Sequence, residues 1–118
     1  MSLRFVILHH TGIASPHFDL MFETAPDSAL TTFRSDHWPI EAPTVLTRIG
    51  DHRRVYLDYE GPLTQNRGTV TRVASGTYQL ERRDADTFWT IRPDAPASPR
   101  LHLKLREGDQ WLALPACG

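Results

Sequence analysis

The sequence predicts an all-β domain, a small antiparallel β-barrel of about eight strands with one or two short helices. Three observations carry that expectation. Short apolar segments alternate with polar residues along much of the chain, the period of a half-buried strand. Nine prolines and seven glycines punctuate these segments at close intervals. No long stretch repeats its apolar positions at the 3.6-residue period of an amphipathic helix.

The elements follow in order. Arg4 to His10 reads as the first strand, and Gly12-Ile13-Ala14-Ser15-Pro16 supplies turn chemistry after it. His17 to Glu23 is the second strand. Asp27 to Arg34 is expected to hold a short helix, with Asp27 or Ser28 as its N-cap. Arg53 to Tyr59 reads as a third strand, closed by Gly61-Pro62. Gly68 to Val73 and Thr77 to Arg82 follow as two strands, with Ser75-Gly76 as the turn between them. Asp84-Ala85-Asp86 is expected as a hairpin loop before the strand Phe88 to Arg92, and proline-rich Pro93 to Pro99 as a loop. Leu101, Leu103 and Leu105 alternate with His102, Lys104 and Arg106, the pattern of a strand with one wet face. Glu107-Gly108-Asp109 then turns the chain into a last strand, Trp111 to Leu114. Strands at this spacing are those of a small barrel.

A chain of 118 residues fits one domain, 1–118, with a single modest core. Its formal net charge of −1 argues against a protein that coats long stretches of nucleic acid, because such binding is driven by phosphate neutralisation. Contact with nucleic acid is therefore expected to be local, such as a strand end in a pocket. Cys117 is the sole cysteine, which rules out an internal disulfide and a cysteine metal site and favours a reducing compartment. The apolar run Phe5-Val6-Ile7-Leu8 is too short for a signal peptide or a membrane span. A cytoplasmic monomer with no membrane association is expected.

The chemically informative stretch is His9-His10, then His17-Phe18-Asp19-Leu20-Met21-Phe22-Glu23. Alternation in a strand sends His17, Asp19, Met21 and Glu23 to one face and Phe18, Leu20 and Phe22 to the other, which must be the core. A His-x-Asp pair thus projects from the non-core face. If the loop after the first strand folds it back alongside, a histidine from its end completes the set. His10 shares a face with Val6 and Leu8, and His9 with Phe5 and Ile7. Two imidazoles and one carboxylate suit Mn²⁺, Fe²⁺ or Zn²⁺ and leave positions open for water and substrate. Asp51-His52-Arg53-Arg54-Val55-Tyr56 puts His52 and Tyr56 on one face of the expected third strand, with Arg54 between them. Donors and an acid of this kind are what a metal-bound phosphate needs for its remaining oxygens and its leaving oxygen.

Phe5 to His10, His17-Phe18-Asp19, Glu23, Asp51-His52 with Tyr56, Glu60-Gly61 and Gly68-Thr69-Val70 together resemble the 3′-phosphoesterase module of bacterial DNA ligase D. The resemblance runs from Phe5 to about Tyr78. It implies a flattened antiparallel barrel that binds manganese, trims a 3′-terminal ribonucleotide to a 3′-phosphate and then removes that phosphate in DNA end repair. It puts the metal on His10, His17 and Asp19, with Mn²⁺ as the expected ion and Zn²⁺ as the alternative. It puts phosphate contact or acid chemistry on His52 and a supporting hydroxyl on Tyr56. His9 and Glu23 are expected to support the ligands, and a separate ligase or polymerase is the implied partner.

The chain departs from that pattern where the family carries an arginine two residues after the His-x-Asp aspartate, for here Met21 stands. His10 to His17 is one residue longer than the usual spacing, Gly50 stands where an acid is common, and Asp36-His37-Trp38-Pro39 lacks the family's lysine. Arg48, Arg54 or Arg67 is expected to supply the missing guanidinium, and Met21→Arg to raise the rate. Two other readings stand beside this one: a non-catalytic binder of phosphorylated nucleic-acid ends, and a phosphoesterase for another ester.

Overall fold

The computed structural model describes residues 2–84, 87–94 and 99–116. Ala85 and Asp86 of the expected hairpin loop, residues 95–98 of the expected proline-rich loop, and Cys117 lie outside the described residues. The strands are β1 (Leu3–Thr11), β2 (His17–Glu23), β3 (Leu30–Ser35), β4 (Thr44–His52), β5 (Gly61–Pro62), β6 (Thr69–Asp84), β7 (Phe88–Pro93), β8 (Arg100–Glu107) and β9 (Gln110–Ala116). A 3-10 turn spans Arg54–Leu57. Among the described residues no helix is long and apolar enough to cross a membrane.

The strands pair antiparallel in the order β1-β2-β3-β4-β9-β8-β7-β6, and β6 pairs again with β1 to close an eight-stranded barrel. Two-residue β5 is an appendage on the start of β6. Closure depends on the length of β6. Thr69 to Tyr78 pair with β1, and Tyr78 to Asp84 pair with β7. Register shifts at Ile7/Leu8 and at Leu80/Arg82 mark bulges, which add the bend and twist that closing a sheet requires.

The barrel interior is filled by the largest side chains. Trp89, Trp111, Tyr78 and Phe33 are all at 1% exposure or less, joined by Phe5, Phe22, Leu20, Ile91 and Leu103. Phe33 meets the rings of Trp89 and Trp111 edge-on at 5.8 and 5.3 Å, the geometry aromatic quadrupoles favour. The Tyr78 hydroxyl donates to the Glu23 carbonyl, whereas the Trp89 indole N–H is buried in the same layer without a hydrogen-bond partner.

A second, smaller cluster lies on the outer face of the same wall. Val6, Leu8, Met21, Leu30, Leu57 and Val70 are buried together, with Tyr56, Tyr59 and Leu63 packed against them. The segment around the 3-10 turn thus acts as a cover over β1, β2 and β3. The face of His17, Asp19, Met21 and Glu23, expected from alternation to lie away from the core, is consequently buried in this second cluster's wall. All seven residues of β2 but Phe18 are buried.

Three elements differ from expectation. Asp27 to Arg34 is not a helix: Asp27 sits in a turn at φ 63°, and Leu30 onward is β3. Ser28 works in that turn as an acceptor for the Thr24 amide at 3.0 Å rather than as a helix cap. Arg53 to Tyr59 is not a strand, because Leu57 must point down into the outer cluster, and a tight turn delivers it there. Ser75-Gly76 is no turn: both residues lie within β6, with Gly76 beside the Phe5 ring. The count of eight holds because two missed strands, β3 and β4, offset one false strand and one strand divided in two.

Candidate metal centre

Antiparallel pairing of β1 with β2 sets His10 directly opposite His17 and Leu8 opposite Asp19. His10, His17 and Asp19 therefore gather on the outer face at one end of the buried cluster. Their ligand atoms all lie within 4.8 Å of one another, and the three form a group that could hold a metal ion. His17 Nε2 is 3.4 Å from Asp19 Oδ1, and His10 Nδ1 is 3.9 Å from Asp19 Oδ2. Atoms bound to one ion at about 2.1 Å stand roughly 3.0–3.5 Å apart, so the group needs only small adjustments to close.

The other nitrogen of each ring is already committed. His10 Nε2 meets the Arg67 carbonyl at 2.6 Å, and His17 Nδ1 meets the Ser15 carbonyl at 2.9 Å. A carbonyl only accepts, so each of these nitrogens carries the proton in the neutral ring. That leaves a lone pair on His10 Nδ1 and on His17 Nε2, the two atoms that face Asp19. Backbone carbonyls orient metal-bound histidines in the same way.

Burial sharpens the point. The side chains of His17 and Asp19 are 5% exposed, and His17 Nε2 and Asp19 Oδ1 are buried with no hydrogen-bond partner. Each such orphan costs about 1–3 kcal/mol unless something compensates it. A divalent cation satisfies the lone pair and the carboxylate together. The donor set of two imidazoles and one carboxylate fits that role.

The loops that position the two histidines are tied by glycine. Gly12 and Gly68 both have positive φ, 75° and 86°, and a Cβ on Gly12 would lie 3.3 Å from the Gly68 Cα. The β1–β2 loop, which carries Ser15, and the loop before β6, which carries Arg67, meet at this contact.

The other expected residues fall into different places. His9 turns to the opposite face from His10 and stacks on Phe18 at 4.3 Å, so the expected support of a ligand has no counterpart. Glu23 accepts from the Arg4 amide at 3.1 Å and from Arg54 Nη1 at 2.6 Å. It lies four residues along β2 from Asp19, roughly 13 Å away at strand rise, and fastens the cover instead of reaching the ligands. Arg54 is spent on that pair and on the Ser28 carbonyl at 2.8 Å. Arg67 turns its guanidinium to the Thr64 carbonyl and hydroxyl, both at 3.0 Å. Arg48 pairs with Phe33 and shares the inward face of Leu46. None of the three arginines expected to replace the guanidinium points it at the His-His-Asp group.

His52 and Tyr56 do meet, with ring centroids 5.7 Å apart, although through the end of β4 and the 3-10 turn and not along one strand. His52 stands across from Leu30, which pairs with Glu23, so it is offset along the wall from the Asp19 position. Met21 is 1% exposed inside the outer cluster, and an arginine there would have no room.

One residue near the ligands escaped the sequence reading. Arg34, on β3, is the cross-strand partner of Asp19, and its Nε lies 3.9 Å from Asp19 Oδ1. Reading 30–35 as a strand paired with β2 would have found it.

Fold and site together define a small closed antiparallel barrel with a candidate divalent-metal centre on its outer wall. The sequence matches no known protein-family profile and no curated protein.

Proposed function

We propose that this chain is a metal-dependent phosphoesterase that acts on 3′-phosphorylated ends of nucleic acid, of the kind fused to bacterial DNA ligase D. The observation that carries the reading is the pair of buried, orphaned atoms His17 Nε2 and Asp19 Oδ1 beside His10 Nδ1. A bound divalent ion, Mn²⁺ first and Zn²⁺ as the alternative, would supply Lewis-acid polarisation of a phosphoryl oxygen or an activated water. His10, His17 and Asp19 hold it, and the Arg67 and Ser15 carbonyls keep both imidazoles in the ligating tautomer. The His52–Tyr56 pair, farther along the wall, is the candidate proton donor and hydroxyl for the leaving oxygen. The near-neutral charge suits capture of a strand end rather than a long groove. In this reading the protein works as a cytoplasmic monomer beside a separate ligase or polymerase.

The test is incubation of a 3′-phosphate DNA primer with the protein and Mn²⁺ or Zn²⁺. Release of phosphate, abolished by His10→Ala and by His17→Ala, is the expected result. Calorimetric titration of the metal should show its affinity lost in His17→Ala. Primer retained without product would make the protein a binder of phosphorylated ends. Neither retention nor product would remove nucleic acid as the substrate.

A further inference from the structure

We infer that Arg34 is the phosphate-gripping cation of this centre, holding the non-bridging oxygens of a phosphate bound beside the ion; the inference rests on the phosphoesterase reading above. Geometry comes first. Arg34 stands directly across from Asp19 on the neighbouring strand, on the same outer face, with its Nε 3.9 Å from Asp19 Oδ1. That separation is too long for a hydrogen bond. The side chain is 47% exposed, so its guanidinium is near the ligands and reachable from solvent.

Four other arginines around this wall are engaged elsewhere. Arg4 pairs with Asp58 at 2.8 Å, Arg54 with Glu23 at 2.6 Å, and Arg72 with Glu60 at 3.6 Å. Arg67 is turned to Thr64. Arg34 alone in this group has the ligand Asp19 as its ion partner.

Charge explains why the position is useful. Once Asp19 is bound to a dication, its charge is committed to the ion, and a guanidinium at this distance would face net repulsion. An anion between ion and guanidinium relieves it. The planar fork of arginine matches two oxygens of a phosphate at once, which a lysine ammonium cannot do. The site is thereby biased toward phosphate over a neutral ligand.

The experiment compares the native protein with Arg34→Ala and Arg34→Lys, using Arg106→Ala as a distant charge control. Calorimetry measures Mn²⁺ affinity and then orthophosphate affinity of the Mn²⁺-loaded protein, and a 3′-phosphate primer reports turnover. In Arg34→Ala, Mn²⁺ affinity should stay within about threefold, as in a site whose ligands are intact, while turnover falls about a hundred- to a thousandfold, the usual cost of losing one transition-state donor. Orthophosphate affinity should fall at least about tenfold, with partial recovery in Arg34→Lys through its point charge. Arg106→Ala should match the native protein throughout. If Arg34→Ala keeps native phosphate affinity in an active protein, the inference falls and the phosphoesterase reading stands. Loss of Mn²⁺ affinity in Arg34→Ala would make Arg34 a prop for Asp19 and also overturns it. A native protein that neither binds orthophosphate nor acts on the primer would overturn both.

Discussion

Gly68 lies so close to His10 that a Cβ built on it would stand 3.3 Å from the imidazole Nε2, and 2.2 Å from the Thr11 carbonyl oxygen. Only a glycine lets the loop before β6 come down at φ 86° and present the Arg67 carbonyl to the ring. Gly68→Ala should push that carbonyl away and release the His10 tautomer. Losing an outer hydrogen-bond partner of a metal histidine costs about 10- to 100-fold in affinity. Metal titration of Gly68→Ala against the native protein checks this, and unchanged affinity would show that the carbonyl does not set the ligand.

Arg54 and Glu23 form a structural clamp. The carboxylate is 7% exposed on its side chain and the guanidinium 33%, with 2.6 Å between them. Arg54→Ala strands a buried carboxylate that keeps only the Arg4 amide, and should cost about 2 kcal/mol, less than a fully buried pair because Arg54 is partly solvated. Urea unfolding measures the loss. Metal affinity should not change, since Glu23 stands well along the strand from Asp19.

Met21 is a buried residue of β2 beneath the cover. Truncation to alanine should cost about 2–5 kcal/mol, as for other buried methionines. Met21→Arg should be at least as damaging, because it buries a charge among Val6, Leu8, Leu30 and Leu57. This replaces the expectation that restoring an arginine there raises the rate: thermal melts should show a strongly destabilised protein and primer assays no gain.

Burial pushes the Tyr78 hydroxyl well above the ordinary tyrosine range, with the neighbouring Arg83 charge acting against that rise and Glu23 adding to it. The folded chain then keeps a proton that the unfolded chain releases near pH 10. Tyr78 thus favours folding fully below about pH 10, and its contribution declines as pH climbs further, by about 1.4 kcal/mol per unit for one proton. Urea unfolding at pH 9 and pH 11 should show the decline, and Tyr78→Phe should remove that part of it.

What the chain determined locally is the content of single strands. His17-x-Asp19 shares a face because side chains alternate, and Leu20, Phe22, Leu101 and Leu103 declare the interior for the same reason. The all-β class follows from that period, whereas the meeting of His10 with His17 rests on the antiparallel register of β1 and β2. Alternation reports burial only where one face is wet, however. In β3 the residues Leu30, Thr31, Thr32 and Phe33 are all buried, since the barrel covers one side and the outer cluster the other. Their pattern is erased, and the strand was invisible. The reverse error arose in 53–59, where Val55, Leu57 and Tyr59 alternate although Val55 is 55% exposed and Leu57 is carried inward by a 3-10 turn. Only the tertiary structure could decide which strand lies beside β2. That neighbour puts Arg34 across from Asp19, and the docked 3-10 turn commits Arg54 to Glu23 and closes Met21 beneath the cover, because contacts between residues far apart in sequence depend on tertiary placement and register, which no local period records.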